Sequence, residues 1–589
     1  TLSLGDVTLD LNKLADILVE NGATLNLDDV TILKPYSRGI QFSGNVHLSG
    51  AVTVDNAEGN VGTGWGISGA TGGVLTCEDG TVLTIKGTEY GFVANNNAVM
   101  SIDTLVVNDV AKSAIYMDSS ATMTIETATV AKANAATSAE YGVNMKKGTL
   151  TIDNLTVSDT AKGSIIQTAG TQTVKKATIG ATNGALNIEA KDNAILNLSN
   201  ATVTHTSTVE WEQSATEKIN TPVHVMGNSK VTLDNVTLNG GKYGIRVHTS
   251  QNVTLNNVTI KDSTQFGMWL QASPKVTVTG ELKISGTGSN GIQVNSGTLD
   301  ASNATKVEIT DAGKHGIEVG GTANVKNLAV TDVANCGIYT SGTVELDGAT
   351  IKDCAGHGIH STGANAKVEI TGNVTISNAD YAIRNEKGGS VVAEDGTKVT
   401  ISDSNYGLVS YDNSVISLDE VEITALNNDA IYADGNGVTD AARTGVTVNT
   451  LTVRACNRGI NVFDSGIVTI AESASITDCK TRGIAVGASG KLDASAATSV
   501  VLTDCGHHDS DNNGESNNQG MSVDGVATIN NLTMKADSKN VNYHSIKLNN
   551  ADAILTLNGT TRIGNSVSNN VSVTLGTLNL NGDVTIGDN

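Results

Sequence analysis

The chain has 589 residues, with 63 Gly, only 3 Pro, 3% aromatic residues, and 37 Lys and Arg against 60 Asp and Glu, giving a formal net charge of -23. This acidic balance repels nucleic acid and anionic lipid and leaves no basic stripe for phosphates, and no run of roughly 18 apolar residues offers a membrane-spanning helix. No Pro-rich or Ser-rich linker divides the chain, so residues 1–589 are expected to form one continuous domain.

Near the start, Leu11, Leu14, Ala15 and Leu18 follow the i, i+3, i+4, i+7 spacing of a helix face, and one or two helical turns are expected there. The adjacent pair Asp28-Asp29 follows on a strand-like stretch. Beyond it the pattern is that of strands. Residues 231–238 (Val-Thr-Leu-Asp-Asn-Val-Thr-Leu) and 253–260 (Val-Thr-Leu-Asn-Asn-Val-Thr-Ile) alternate apolar residues with Thr, Asn or Asp and turn at Asp-Asn or Asn-Asn. Period-two alternation of this kind marks strands with one buried face.

Between such runs a phrase returns: an aromatic or polar residue, Gly, Ile, any residue, then a small or β-branched one. It reads Tyr243-Gly244-Ile245-Arg246-Val247, Asn290-Gly291-Ile292-Gln293-Val294, His315-Gly316-Ile317-Glu318-Val319, Cys336-Gly337-Ile338-Tyr339-Thr340, His357-Gly358-Ile359-His360-Ser361 and Arg458-Gly459-Ile460-Asn461-Val462, with looser copies such as Phe266-Gly267-Met268-Trp269. The phrase glycines at 244, 267, 291, 316, 337 and 358 are 23, 24, 25, 21 and 21 residues apart. A unit of three short strands repeated at that period predicts an all-β fold, a single right-handed parallel β-helix of about 21–24 rungs, with each strand bonded to its equivalents roughly 4.8 Å above and below. Leucine-rich repeats need a fixed Leu-x-x-Leu-x-Leu frame, which is missing. Within the phrase, glycine is expected to turn a corner at positive φ, and Ile to drop into the interior. Ile245, Met268, Ile292, Ile317, Ile338 and Ile359 then stack as an apolar column, while outward neighbours such as Arg246, Gln293, Glu318 and Asn461 vary freely.

Two intervals stretch, so residues 206–221 and 506–519 are expected to leave the coil as loops, where binding sites on rigid scaffolds concentrate. The first carries Glu210-Trp211-Glu212. Trp211, Trp269, Tyr243 and Phe266 are the candidate ligand-binding residues. Trp269 follows Met268 and so points outward, one rung from Tyr243, and outward aromatic faces suit stacking on sugar rings. The competing expectation packs Trp269 under the loop that bears Trp211. The second loop contains His507, His508, Asp509, Asp511 and Glu515, a set of oxygen and imidazole donors suited to Ca2+ or a transition metal, with a plain solvated acidic loop as the competing expectation. No other cofactor is implied. The six Cys do not form a secreted disulfide framework. Cys336, Cys354, Cys456 and Cys479 fall near one corner of the coil, which allows a Cys456–Cys479 or Cys479–Cys505 bridge or else a ladder of buried reduced thiols.

The Gly-Ile-x-Val phrase resembles the rung signature of the pectate-lyase-like β-helix superfamily, in particular adhesin-like repeat surface proteins. The resemblance spans practically the whole chain and implies architecture rather than activity. Hydrolases of that superfamily combine an Asn-Thr-Asp motif, an Asp pair, a Gly-His-Gly and an Arg-Ile-Lys around an inverting water. Here Gly356-His357-Gly358 is the rung phrase with His in its variable slot, Asp28-Asp29 lies far away, and Arg562-Ile563-Gly564 lacks the lysine. Lyases need a base and acidic Ca2+ ligands; Arg384, Glu386 and Lys387 lie together, but no acidic cluster repeats on neighbouring rungs. No catalytic residue is therefore assigned. The resemblance implies a non-catalytic extracellular or cell-surface rod, adhesin-like, presenting a surface to a glycan or a host or cell-surface protein, without a nucleic-acid partner or direct membrane insertion. The alternative is a polysaccharide-active lyase or hydrolase. Because the strand pattern runs to Ile586, the sequence is expected to be an excerpt, with further domains of the same chain beyond it.

Overall fold

The computed structural model describes residues 1–587 apart from 59–62, 132–139, 181, 215–216, 250–251, 436–444, 507–517, 536–543, 565 and 567–568. They fall into two compact units, Thr1–Asn303 and Ala304–Asn589. The period-two pattern becomes strand wherever it occurs. In Lys230–Gly240 and Asn252–Lys261 every Val, Leu and Ile is buried and the intervening Thr, Asp and Asn face outward. These two strands pair in parallel, Val231 beside Val253, Leu233 beside Leu255, Val236 beside Val258 and Leu238 beside Ile260. A slip of one residue would turn every apolar side chain to water, so like-on-like burial fixes the register. Each strand thus bonds its equivalent one repeat away, which coils the chain into a parallel β-solenoid of about 22 turns. No helix among the described residues is long and apolar enough to cross a membrane.

The phrase column forms in both units. In the first, Ile40 stacks on Ile67, Ile67 on Phe92, Val223 on Ile245, Ile245 on Met268 and Met268 on Ile292. In the second, Ile317, Ile338, Ile359, Ile383, Leu408 and Ile431 follow one another in register. All of these side chains are at most 1% exposed, and burying each is worth roughly 1.5–3 kcal/mol before entropy is counted.

Three expectations are corrected. Residues 11–18 form no helix: Asn12 and Lys13 turn at φ 47 and 62, and Ile17–Val19 is a strand paired with Ile40, Gln41 and Phe42. The spacing misled because Leu14 and Leu18 are 81% and 57% exposed, so no apolar helix face exists to be buried. The 206–221 segment is not an open loop throughout, since Trp211–Ser214 and Glu217–Ile219 make an antiparallel hairpin. The phrase glycines do not sit at positive φ. A Cβ on Gly337 would instead collide with the Ile351 Cγ2 methyl and lie 2.8 Å from the Gly358 carbonyl oxygen, so the glycine permits close approach of side chain and backbone. Left-handed corners fall to asparagines such as Asn200, Asn235 and Asn257, at φ 47, 56 and 51, whose short polar side chains tolerate that region. Asn235 Nδ2 also donates to Asn200 Oδ1 at 2.8 Å, linking successive corners.

Gly337→Ala should therefore destabilise the second unit by about 1–3 kcal/mol, the usual range for overpacking a filled interior. Ala382 and Ala430 occupy equivalent slots and are fully buried, so the cost at Gly337 is steric and set by the Ile351 methyl. An unchanged denaturation midpoint would show that the rungs separate freely to admit the methyl.

All six cysteines are free thiols, Cys77 partly exposed and the others buried. A side-chain hydrogen bond with the Cys505 thiol, together with burial, holds the Cys479 thiol well above its ordinary pKa.

Candidate functional site

Each phrase strand buries its Gly-Ile pair and leaves two flanking positions, one before the glycine and one after the Ile. Parallel register stacks both positions along successive rungs. In the first unit the position after the Ile holds Glu189, His224, Arg246, Trp269 and Gln293 in consecutive rungs. These residues do not vary independently. Arg246 is fully buried, its Nη1 lies 2.7 Å from His224 Nε2, and its Nη2 donates to Gln271 Oε1 at 2.6 Å. A guanidinium has no acceptor, so His224 Nε2 accepts and the imidazole proton sits on Nδ1. Nδ1 lies 4.0 Å from Glu189 Oε1. Burial, reinforced by Arg246, pushes His224 down to about 3, which keeps the ring neutral near pH 7.

The Arg246 guanidinium lies 5.1 Å from the Trp269 ring. Trp269 is 9% exposed, with its ring 4.6 Å from Tyr243 and 5.6 Å from Phe266, and Tyr243 stacks on Phe266 at 5.7 Å. The outward stacking platform expected of Trp269 is thus closed by aromatic neighbours from its own and the preceding rung. Nor does Trp211 cover it: the Trp211 ring meets His224, at 5.9 Å.

Trp211 itself is 39% exposed. The hairpin that carries it is tied down at its base, where Asn220 Nδ2 donates to the carbonyls of Ser207 and Val209 at 2.8 and 2.7 Å. Lys242 Nζ donates to Glu210 Oε1 at 3.0 Å, binding the hairpin to the next rung. Beside the hairpin opens a cleft of about 410 Å³ lined by Tyr141, Lys162, Glu189, Lys191, Glu210 and Trp211, among others. Lys191 pairs with Glu189 at 3.3 Å, so donors and acceptors both line the wall next to the indole.

In the second unit the same two columns carry a second polar and aromatic band. His315 stacks on Tyr339 at 5.0 Å and Tyr381 on Tyr406 at 4.7 Å. Arg384 donates to Glu386 Oε2 from Nε at 3.0 Å and Nη2 at 2.8 Å. Although burial raises Glu386, the Arg384 bonds and charge outweigh it and hold the carboxyl near 2. Asp429, fully buried, accepts from Arg458 Nη2 and Asn461 Nδ2, both at 2.9 Å. His357, expected to be a mere filler of the variable slot, comes together with Cys336 and His360.

The Asp28-Asp29 pair is structural: Asp29 Oδ1 accepts the Ala51 amide at 2.8 Å. His507, His508, Asp509, Asp511 and Glu515 lie outside the described residues. Glu189, His224 and the buried role of Arg246 escaped the sequence, yet the signal was there. Comparing the residue after each Ile from rung to rung aligns Glu189, His224, Arg246 and Trp269, an acid, an imidazole, a guanidinium and an indole in succession.

Residues 199–345 and 243–398 match the family model described as "Right handed beta helix region". Among solved structures, a PL6 family alginate lyase, AlyGC, is similar over 99% of this chain and 97% of its own, at 10% identity and a TM-score of 0.23. No curated protein matches the chain. With parallel pairing, a stacked phrase column and that family-model match, the architecture is a right-handed parallel β-helix.

Proposed function

We propose that this chain is an adhesin-like, extracellular or cell-surface β-helix that binds a glycan in the cleft beside the 206–221 hairpin, without catalysis and without a cofactor in that cleft. The carrying observation is the exposed Trp211 indole at a cleft of about 410 Å³ whose wall mixes Lys162 and Lys191 with Glu189 and Glu210. A sugar ring presents apolar C–H faces and a rim of hydroxyls, so an indole beside paired donors and acceptors suits it. Arg246 and His224 are buried and support the wall from behind; they do not reach a ligand. The net charge of -23 disfavours polyuronates at long range and favours a neutral glycan. A host or cell-surface protein carrying such a glycan would be the natural partner.

Trp211→Ala should weaken glycan binding by about 1 kcal/mol or more, roughly fivefold in Kd, while leaving the unfolding midpoint nearly unchanged. Trp269→Ala should do the reverse, lowering stability because that ring is buried. Screening against neutral and acidic glycans followed by calorimetry reads both. Absence of glycan binding, or binding indifferent to Trp211→Ala, would end this reading.

One observation favours a second reading, a polysaccharide-active enzyme: Arg384, Glu386, His360 and Tyr381 share one face on adjacent rungs. That reading requires new reducing or unsaturated chain ends from a polysaccharide, lost in Arg384→Ala.

A further inference from the structure

We infer that Cys336, His357 and His360 form a transition-metal site of the Zn2+ type. The phrase places them. Cys336 and His357 fill the same position, immediately before the glycine, on successive rungs, and His360 follows two residues after Gly358 on the rung of His357. Parallel pairing sets His360 beside Tyr339 on the Cys336 rung and beside Arg384 on the next. One ligand atom from each of the three lies within 4.8 Å of the others. Zn–S and Zn–N bonds of about 2.3 and 2.0–2.1 Å imply ligand separations of roughly 3.4 Å in a tetrahedron, so modest side-chain rotation closes the site.

The second observation is the state of the imidazoles. His357 Nδ1 is buried without a hydrogen bond, an arrangement that costs free energy unless something else satisfies the nitrogen. His360 Nε2 lies 3.3 Å from Glu386 Oε1. That carboxylate, itself fixed by Arg384, accepts a hydrogen bond from Nε2–H when Nδ1 turns to the ion, as carboxylates commonly do behind metal-bound histidines. One thiolate and two imidazoles are borderline-soft donors, which select Zn2+ or Co2+ over Ca2+ or Mg2+. With three protein ligands, the fourth position is left to water.

Cys336 is a free thiol before the ion arrives. Binding then breaks the S–H bond, forms the Sγ–metal bond and releases one proton to buffer, so affinity falls as pH is lowered. This inference concerns the second unit and is independent of the glycan reading.

The test is Co2+ titration of the full reduced chain, followed by the thiolate-to-cobalt charge-transfer band, which oxygen and imidazole ligands elsewhere do not produce. The band should appear, saturate at one equivalent and vanish on adding Zn2+. Cys336→Ser should abolish it, His357→Ala should weaken Co2+ binding at least tenfold, and Cys354→Ser, which removes a buried thiol outside the cluster, should leave it intact. Each variant is checked by circular dichroism; if Cys336→Ser fails to fold, His357→Ala and His360→Ala carry the test. No band in the native chain, or a band that survives Cys336→Ser or both histidine substitutions, would overturn the site.

Discussion

Ile338→Asp should unfold the second unit under conditions in which the native chain remains folded. Ile338 is fully buried between Ile317 and Ile359 in the ladder. The substitution removes roughly 1.5–3 kcal/mol of burial and places in the interior a carboxyl that finds no partner, at a further cost of several kcal/mol. Solenoid stability is approximately a sum over neighbouring repeats, so this loss falls on both interfaces of one rung and interrupts the unit there. Tyr339→Asp, one residue on, should cost far less. Its ring points outward and stacks on His315 at 5.0 Å, a contact worth about 0.5–1.5 kcal/mol. Denaturant titration of the two variants should separate them by several kcal/mol. Equal losses would reverse the assignment of inner and outer faces.

Mild acid should destabilise both units well before the carboxylates titrate. Burial, first among the causes, lowers His205 to about 4 and His224 to about 3 in the first unit, and His315 and His357 each to about 4 in the second, from an ordinary value of 6.5. The unfolded chain therefore binds protons below about 6.5 that the folded chain refuses, and stability falls as pH drops through that window. At pH 5 each neutral histidine costs about 2 kcal/mol, so each unit loses about 4 kcal/mol relative to pH 7.5. Glu386, held near 2, adds its own loss only below 4.5. Unfolding free energies at pH 7.5, 6 and 5 should fall by about 1.5 kcal/mol in each unit over the first interval and more steeply over the second. Equal stability at pH 7.5 and 5 would mean that these rings reach solvent.

The parts of the fold that were legible are those that every rung demands alike. Val231 and Val253 answer the same requirement one repeat apart, and repetition turns a weak local signal into a strong one. Leu14 and Leu18 have no such repetition, and apolar spacing alone does not say whether a face will be covered. Trp269 shows a related limit. Alternation gives the direction of a side chain but not its surroundings, and Tyr243 and Phe266, which close over the indole, come from that rung and the one before. Taken alone, His357 is one filler of a slot held elsewhere by Tyr243, Asn290 and Arg458. Its chemistry emerges only when the slot is compared with Cys336 one repeat earlier and His360 three residues later.

The stacked inner column also insulates the outside of the molecule from the inside. Because Ile317, Ile338 and Ile359 hold the register, the two outward slots of a rung behave as cells in a grid, with a pitch of about 4.8 Å between rows. A residue exchanged in one cell meets a small, known set of neighbours, and the backbone beneath it has no reason to move. New combinations therefore arise by single substitutions a full repeat apart in sequence yet adjacent in space, and a duplicated repeat delivers a blank row on which the next combination can be written.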